Sequence, residues 1–171
     1  MTLAEALAGK EIPEEIRGNL ALTDVPYLSF GGIEKIGQLV VHEILVEDVK
    51  YLFNALLERQ FPIEKIVPIV AYDWDDDASM ADNNTSAFNY RKIYRADRLS
   101  NHSYGRAIDI NPLLNPYEGR DGSVVPPGAT YDTNVPGTVT EDIAAIFKLR
   151  GWAWGGDWTS VKDWQHFEKL T

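Results

Sequence analysis

One stripe of apolar side chains limits the architecture more than any other feature of this 171-residue chain. Val49, Leu52, Phe53, Leu56 and Leu57 fall at helical spacing, which predicts an amphipathic helix over 47–60. Elsewhere glycine, proline and asparagine cut the chain into short pieces suited to strands, hairpins and loops. Residues 25–30 and 38–41 favour strands, and Gly31-Gly32 between them makes a hairpin the simplest connection. Residues 66–70, after Pro62, read as a short buried strand. Residues 107–110 read as another, stopped by Asn111-Pro112. A second helix is expected with Thr138 or Thr140 as its cap, Ile143, Ile146 and Phe147 as its stripe, and Gly151 as its end. The tail, 152–171, reads as strand, Gly-Gly turn, strand. Hairpins dominate, so the expected fold is α+β: a single domain with a mainly antiparallel sheet and flanking helices. Residues 1–20 read as a partly helical N-terminal extension, with Pro13 at a first helical position, and 21–171 as the main domain.

Composition narrows the chemistry. There are 16 basic and 26 acidic side chains, and the net charge of −10 argues against a nucleic-acid groove or an anionic membrane surface as partner. No apolar run approaches the roughly 20 residues that span a bilayer. The opening MTLAEALAGK lacks the apolar stretch of about 7–15 residues of a secretory signal, which fits either a cytoplasmic protein or an exported one whose leader has been removed. With no cysteine, disulfides, thiolate ligands and cysteine nucleophiles are all excluded. A metal would have to be held by imidazole and carboxylate, and the only histidines are His42, His102 and His166.

Two of these stand in dense polar–aromatic phrases, Ser100-Asn101-His102-Ser103-Tyr104-Gly105-Arg106-Ala107-Ile108-Asp109 and Asp163-Trp164-Gln165-His166-Phe167-Glu168. His102, Asp109 and His166 form a ligand set suited to zinc with one position left for water. Asp163, three residues before His166, is placed to face that water as an ionised base. The same residues are also what structural histidines and strand-end aspartates look like. His42, in Val40-Val41-His42-Glu43, has no second ligand nearby and reads as structural. Trp152, Trp154, Trp158 and Trp164 read mostly as core, with Trp154 or Trp158 beside Gly155-Gly156 as candidates to line a cleft, and Tyr104 is open to both readings. The run Asp73-Trp74-Asp75-Asp76-Asp77 lacks the glycine and glutamate of a calcium loop and reads as a solvated loop. Residues 111–137, rich in Pro, Gly and Asn, read as a long surface excursion of the kind often tied to function.

The phrase Ser-x-His-x-x-Gly-x-Ala-x-Asp at 100–109, followed by Asp-x-x-His-Phe-Glu at 163–168, resembles the paired signature of the zinc D-alanyl-D-alanine carboxypeptidase family. That family takes in the vancomycin-resistance dipeptidases and the phage L-alanyl-D-glutamate endolysins, and the resemblance is closest to the endolysin-like branch. It extends to Asn84-Thr85-Ser86-Ala87-Phe88-Asn89-Tyr90-Arg91 and Trp154-Gly155-Gly156-Asp157-Trp158, and covers about residues 20–171.

The resemblance implies one zinc ion held by His102, Asp109 and His166, with Asp163 as general base and Arg91 polarising the scissile carbonyl. Ser100 would lie by the substrate, and Tyr104 and Trp154 are expected there too. It implies a peptidase acting on peptidoglycan stem peptides, as a carboxypeptidase or an endopeptidase. Export to the periplasm or cell envelope is expected from that substrate alone, a monomer is the default expectation, and the signalling domain of hedgehog proteins resembles this fold. A non-catalytic zinc-containing binding domain on that scaffold is the alternative; the presence of both Asp163 and Arg91 weighs against it.

Overall fold

The computed structural model of the protein describes residues 1–93 and 96–170. Two short helices, α1 (Leu3–Ala6) and α2 (Glu14–Arg17), lead into a long hairpin of β1 (Leu20–Leu28) and β2 (Glu34–His42). Next come α3 (Val46–Glu58), β3 (Lys65–Ile66), α4 (Asp76–Ala81), β4 (Asn84–Thr85) and β5 (Ala107–Asp109). The chain continues through β6 (Tyr117–Glu118), β7 (Val124–Val125), α5 (Glu141–Lys148), β8 (Ala153–Trp154), β9 (Lys162–Asp163) and β10 (His166–Glu168). No helix among the described residues is long and apolar enough to cross a membrane.

The α+β reading holds, but the pairing is divided among small sheets instead of forming one. β1 pairs with β2, β10 lies between β5 and β8, and β6 lies between β7 and β9, all antiparallel; β3 and β4 pair in parallel. Apart from the hairpin these strands are two or three residues long, too short to template a wide ladder. The expected strand over 66–70 ends at Ile66. Pro68 has no N–H for a ladder, and it opens a 3₁₀ turn over Ile69–Tyr72 that still buries Ile69.

α3 forms where the apolar stripe lies and buries Val49, Leu52, Phe53 and Leu56. These side chains share a core with Val25, Leu39 and Val41 of the hairpin, Ile143 and Phe147 of α5, and Trp154 and Phe167 of the sheet. α5 starts after Thr140, whose hydroxyl bonds the Asp142 carboxylate and caps no helix N–H. Residues 1–20 are packed: Ala6, Leu7, Ile12 and Ile16 form a second apolar cluster with Leu20, Val40 and Phe88. Trp74 of the acidic run partly covers that cluster and donates Nε1–H to the Ala8 carbonyl at 2.9 Å.

The excursion over 111–137 is tied down at both ends by buried amides. Asn111 Nδ2 donates to the carbonyls of Pro62 (2.9 Å) and Gly137 (3.0 Å). Asn115 Oδ1 accepts from Val139 N at 2.7 Å, and its Nδ2 donates to Ile110 O at 3.0 Å. In between, β6 pairs Tyr117 with Asp163, and the Tyr131 ring stacks on Trp164 with centroids 3.8 Å apart. The excursion is thus a wall against the strand that carries Asp163.

Candidate metal centre and active site

β5 and β10 bring the two sequence phrases together. Their register sets His166 opposite Asp109 and Phe167 opposite Ile108. Alternation along the strands then sends Phe167 and Ile108 into the core while His166 and Asp109 share the other face. His102 arrives on a 3₁₀ turn, Asn101–Tyr104, which the Ser100 hydroxyl caps by accepting the His102 N–H at 3.3 Å. Gly105 ends that turn at φ 65, and a Cβ there would stand 2.4 Å from His42 N. Only glycine allows both the left-handed turn and this approach to the hairpin, which is sealed by His42 N donating to Gly105 O at 2.9 Å.

His102 Nε2 lies 3.1 Å from Asp109 Oδ2 and 3.2 Å from His166 Nδ1, and His166 Nδ1 lies 3.0 Å from Asp109 Oδ1. All three residues are buried, and their ligand atoms lie within 4.8 Å of one another. The outer ring nitrogens have carbonyl and carboxylate partners. His102 Nδ1 is 2.5 Å from Ala87 O, and His166 Nε2 is 3.1 Å from Glu168 Oε2, which also accepts from Asn101 Nδ2 at 2.6 Å. Each imidazole is therefore held from behind, with its other nitrogen turned to the common point, as ligands of a metal are. Two imidazole nitrogens and a carboxylate, with no thiolate, fit a zinc site with an open position.

Burial works to raise the Asp109 pKa, but the His102 charge and hydrogen bonds from both rings outweigh it and hold the carboxyl well below the usual range. Burial works against the charged form of His166, yet hydrogen bonds to Asp109 and Glu168 push its pKa up to about 10. Asp163 goes the other way: burial raises its pKa to about 6, opposed by the His166 charge and aided by that of Asp109. Its Oδ1 is buried without a hydrogen-bond partner. β9 is pressed close to the Gly155–Asp157 turn, where a Cβ on Gly155 would stand 2.4 Å from the Asp163 carbonyl oxygen.

The other expected site residues are placed as follows. Arg91 Nη2 pairs with Asp76 Oδ2 at 2.9 Å, and Asn89 Nδ2 donates to Asp76 Oδ1 at 3.0 Å. The Arg91 main chain is tied to the His102 turn through Ser103 Oγ, which accepts from Arg91 N at 2.9 Å and donates to Arg91 O at 2.8 Å. Ser100 is buried, its hydroxyl engaged in the cap. Trp154 is 2% exposed, donates Nε1–H to Trp164 O at 2.9 Å and lies by Phe167, so it is a core ring with no face for a cleft. Trp158 is the indole that reaches the centre, 5.5 Å from the His166 ring. Tyr104 is 39% exposed at the end of the His102 turn. His42 accepts from Ile44 N at 3.4 Å as the cap of the Glu43–Leu45 turn, a structural position.

Asn101 and Asp76 are partners that the motifs do not single out, and Glu168 closes the second motif without a role being read for it. Glu168 is signalled by strand alternation, since two residues after His166 it must share its face. Asp76 has no such signal in sequence: its acidic run is a helix cap at Asp75, which accepts from Ala78 N at 3.1 Å, followed by an anchor for Arg91.

Residues 94–169 match the model of a family described as D-alanyl-D-alanine carboxypeptidase. Over 72 residues the chain is 36% identical to the peptidoglycan L-alanyl-D-glutamate endopeptidase CwlK of Bacillus subtilis (strain 168). The matched stretch covers 42% of this chain and 40% of that relative's length. No solved structure gives a significant match. The segment that matches this family model, residues 94–169, holds both motifs. Arg91 lies outside it.

Proposed function

We propose that the protein is a zinc-dependent peptidase that hydrolyses peptidoglycan stem peptides, on a scaffold of the hedgehog and D-Ala-D-Ala-peptidase type. The observation that carries this reading is the convergence of His102 Nε2, Asp109 and His166 Nδ1 within 4.8 Å, near a buried Asp163 oxygen that has no partner. The family match and the named activity of the Bacillus relative support the substrate class. A zinc ion held by the three side chains supplies Lewis acidity, polarising a carbonyl oxygen and lowering the pKa of water to around 7.

The chain's own residues do the rest. Asp163, with its pKa raised to about 6, is a stronger base than an ordinary aspartate and is mostly ionised near neutral pH. It accepts a proton from the attacking water and returns it to the leaving amine. Asp109 stays ionised under the charge of its partners and anchors the ligand set. Arg91, braced by Asp76, stabilises the negative charge that develops on the scissile carbonyl oxygen. Tyr104, exposed on the His102 turn, contacts the stem peptide. The protein works as a monomer and outside the cytoplasmic membrane, where this substrate lies.

Mass spectrometry of purified muropeptides, incubated with zinc-loaded and metal-free protein, tests the reading. Metal-dependent cleavage is expected, and the mass lost distinguishes release of a terminal D-alanine from a cut between L-alanine and D-glutamate. Intact stem peptides after incubation with fully loaded protein would overturn the assignment.

A further inference from the structure

We propose that Glu168, anchored by Asn101, is the positioning residue that makes Nδ1 of His166 the ligand atom. The inference rests on the reading that His102, Asp109 and His166 hold a metal. An imidazole offers two nitrogens, and an unconstrained ring can present either one. Here each nitrogen meets a carboxylate oxygen, Asp109 Oδ1 on the side shared with His102 and Glu168 Oε2 on the side behind the ring. Glu168 Oε2 lies 3.1 Å from His166 Nε2 and 2.6 Å from Asn101 Nδ2. A carboxylate only accepts, so when a metal takes Nδ1 together with Asp109, the hydrogen left on His166 sits on Nε2 and is donated to Glu168.

The geometry behind this is enforced from two sides. His166 and Glu168 are two apart on β10 and share its site face, while Phe167 between them is buried in the core. The strand thus fixes the distance between ring and carboxylate. Asn101 directly precedes His102 on the 3₁₀ turn and reaches 67 residues along the chain to Glu168. One oxygen atom therefore couples the segment carrying the first imidazole to the strand carrying the second. An outer carboxylate of this kind orients the ring and strengthens its donor nitrogen.

Calorimetric titration of the metal-free full chain with zinc tests the assignment, with Glu168→Ala, Glu168→Gln and Asn101→Ala beside the unaltered protein. Removing an outer partner typically weakens metal binding by about 10–100-fold, and that is the loss expected for Glu168→Ala. Glu168→Gln keeps an acceptor oxygen and should recover part of it; Asn101→Ala, which leaves the carboxylate in place but unanchored, should lose less than Glu168→Ala. Nitrogen-15 spectra of the zinc-loaded unaltered protein should show His166 metallated at Nδ1 with hydrogen on Nε2. Zinc binding by Glu168→Ala within twofold of the unaltered protein, or metallation at Nε2, would overturn the proposal. If Glu168→Ala does not fold by circular dichroism, the other two variants decide: unchanged affinity in both overturns it. An unaltered protein that binds no zinc would sink the metal reading itself, a result distinct from either.

Discussion

Asp109 and His166 face each other across the β5–β10 ladder, with Oδ1 of the aspartate 3.0 Å from Nδ1 of the imidazole. The two lie 57 positions apart in sequence, and a slip of one residue in the ladder would turn either side chain into the core. Phe167 and Ile108, alternating with them, secure that register by being wholly buried. The site is therefore as well defined as the packing beneath it.

Asp163 is expected to separate catalysis from metal binding. Asp163→Asn should retain zinc and lose turnover by about 10²–10⁴-fold, read from peptide hydrolysis beside elemental analysis. Loss of zinc in that variant would make Asp163 a ligand and remove it as the base.

The same residue should leave a mark on stability. Burial raises its pKa from 3.8 to about 6, so the fold favours the neutral carboxyl. Its stabilising contribution is complete below the unfolded value and is lost as pH rises through about 6. Metal-free Asp163→Asn, which never carries the charge, should accordingly match the unaltered protein near pH 4 and exceed its stability by about 1–3 kcal/mol at roughly pH 7, the scale set by a raised pKa of this size. Denaturant melts at the two pH values provide the check, and a variant that is less stable at the higher pH would contradict it.

Asp76 should matter through Arg91. Arg91→Ala is expected to leave zinc content intact and lower kcat by about 10²–10³-fold, the usual cost of one electrostatic donor. Asp76→Ala, which frees the guanidinium from its 2.9 Å partner, should show a smaller loss in kcat, again with full zinc. Normal turnover in Arg91→Ala would take both residues out of the chemistry.

Residues 1–20 should behave as part of the domain. Leu7 is 1% exposed in the cluster that underlies Phe88, and Leu7→Ala should cost about 2–5 kcal/mol in a denaturant melt. Leu149, 87% exposed, serves as control, and its alanine variant should change stability by less than about 0.5 kcal/mol. Equal effects of the two would mean that the N-terminal segment is dispensable to the fold.

Legibility in the sequence follows physical range. The helix over 46–58 is readable because its stripe is a local signal, and the hairpin because its strands flank a Gly-Gly turn. The cluster of His102, Asp109 and His166 is readable because metal chemistry restricts residue types so sharply in a chain with three histidines and no cysteine. Division into small sheets is not readable, since pairing such as Asp109 with His166 or Tyr117 with Asp163 is decided by contacts far apart in sequence. Trp154 and Ser100 look functional beside a motif, yet one is enclosed by Phe167 and Trp164 and the other caps the His102 turn. Asp76 hides in an acidic run because its partner, Arg91, is 15 residues further on and reached only after the chain folds back.

Metal content of the purified, exhaustively dialysed protein after zinc loading tests the central claim most directly, measured by elemental analysis alongside His102→Ala, Asp109→Ala and His166→Ala. One zinc per chain, lost in each of the three variants, is the expected result. A folded, unaltered protein that retains no zinc, or variants that retain it fully, would contradict the account.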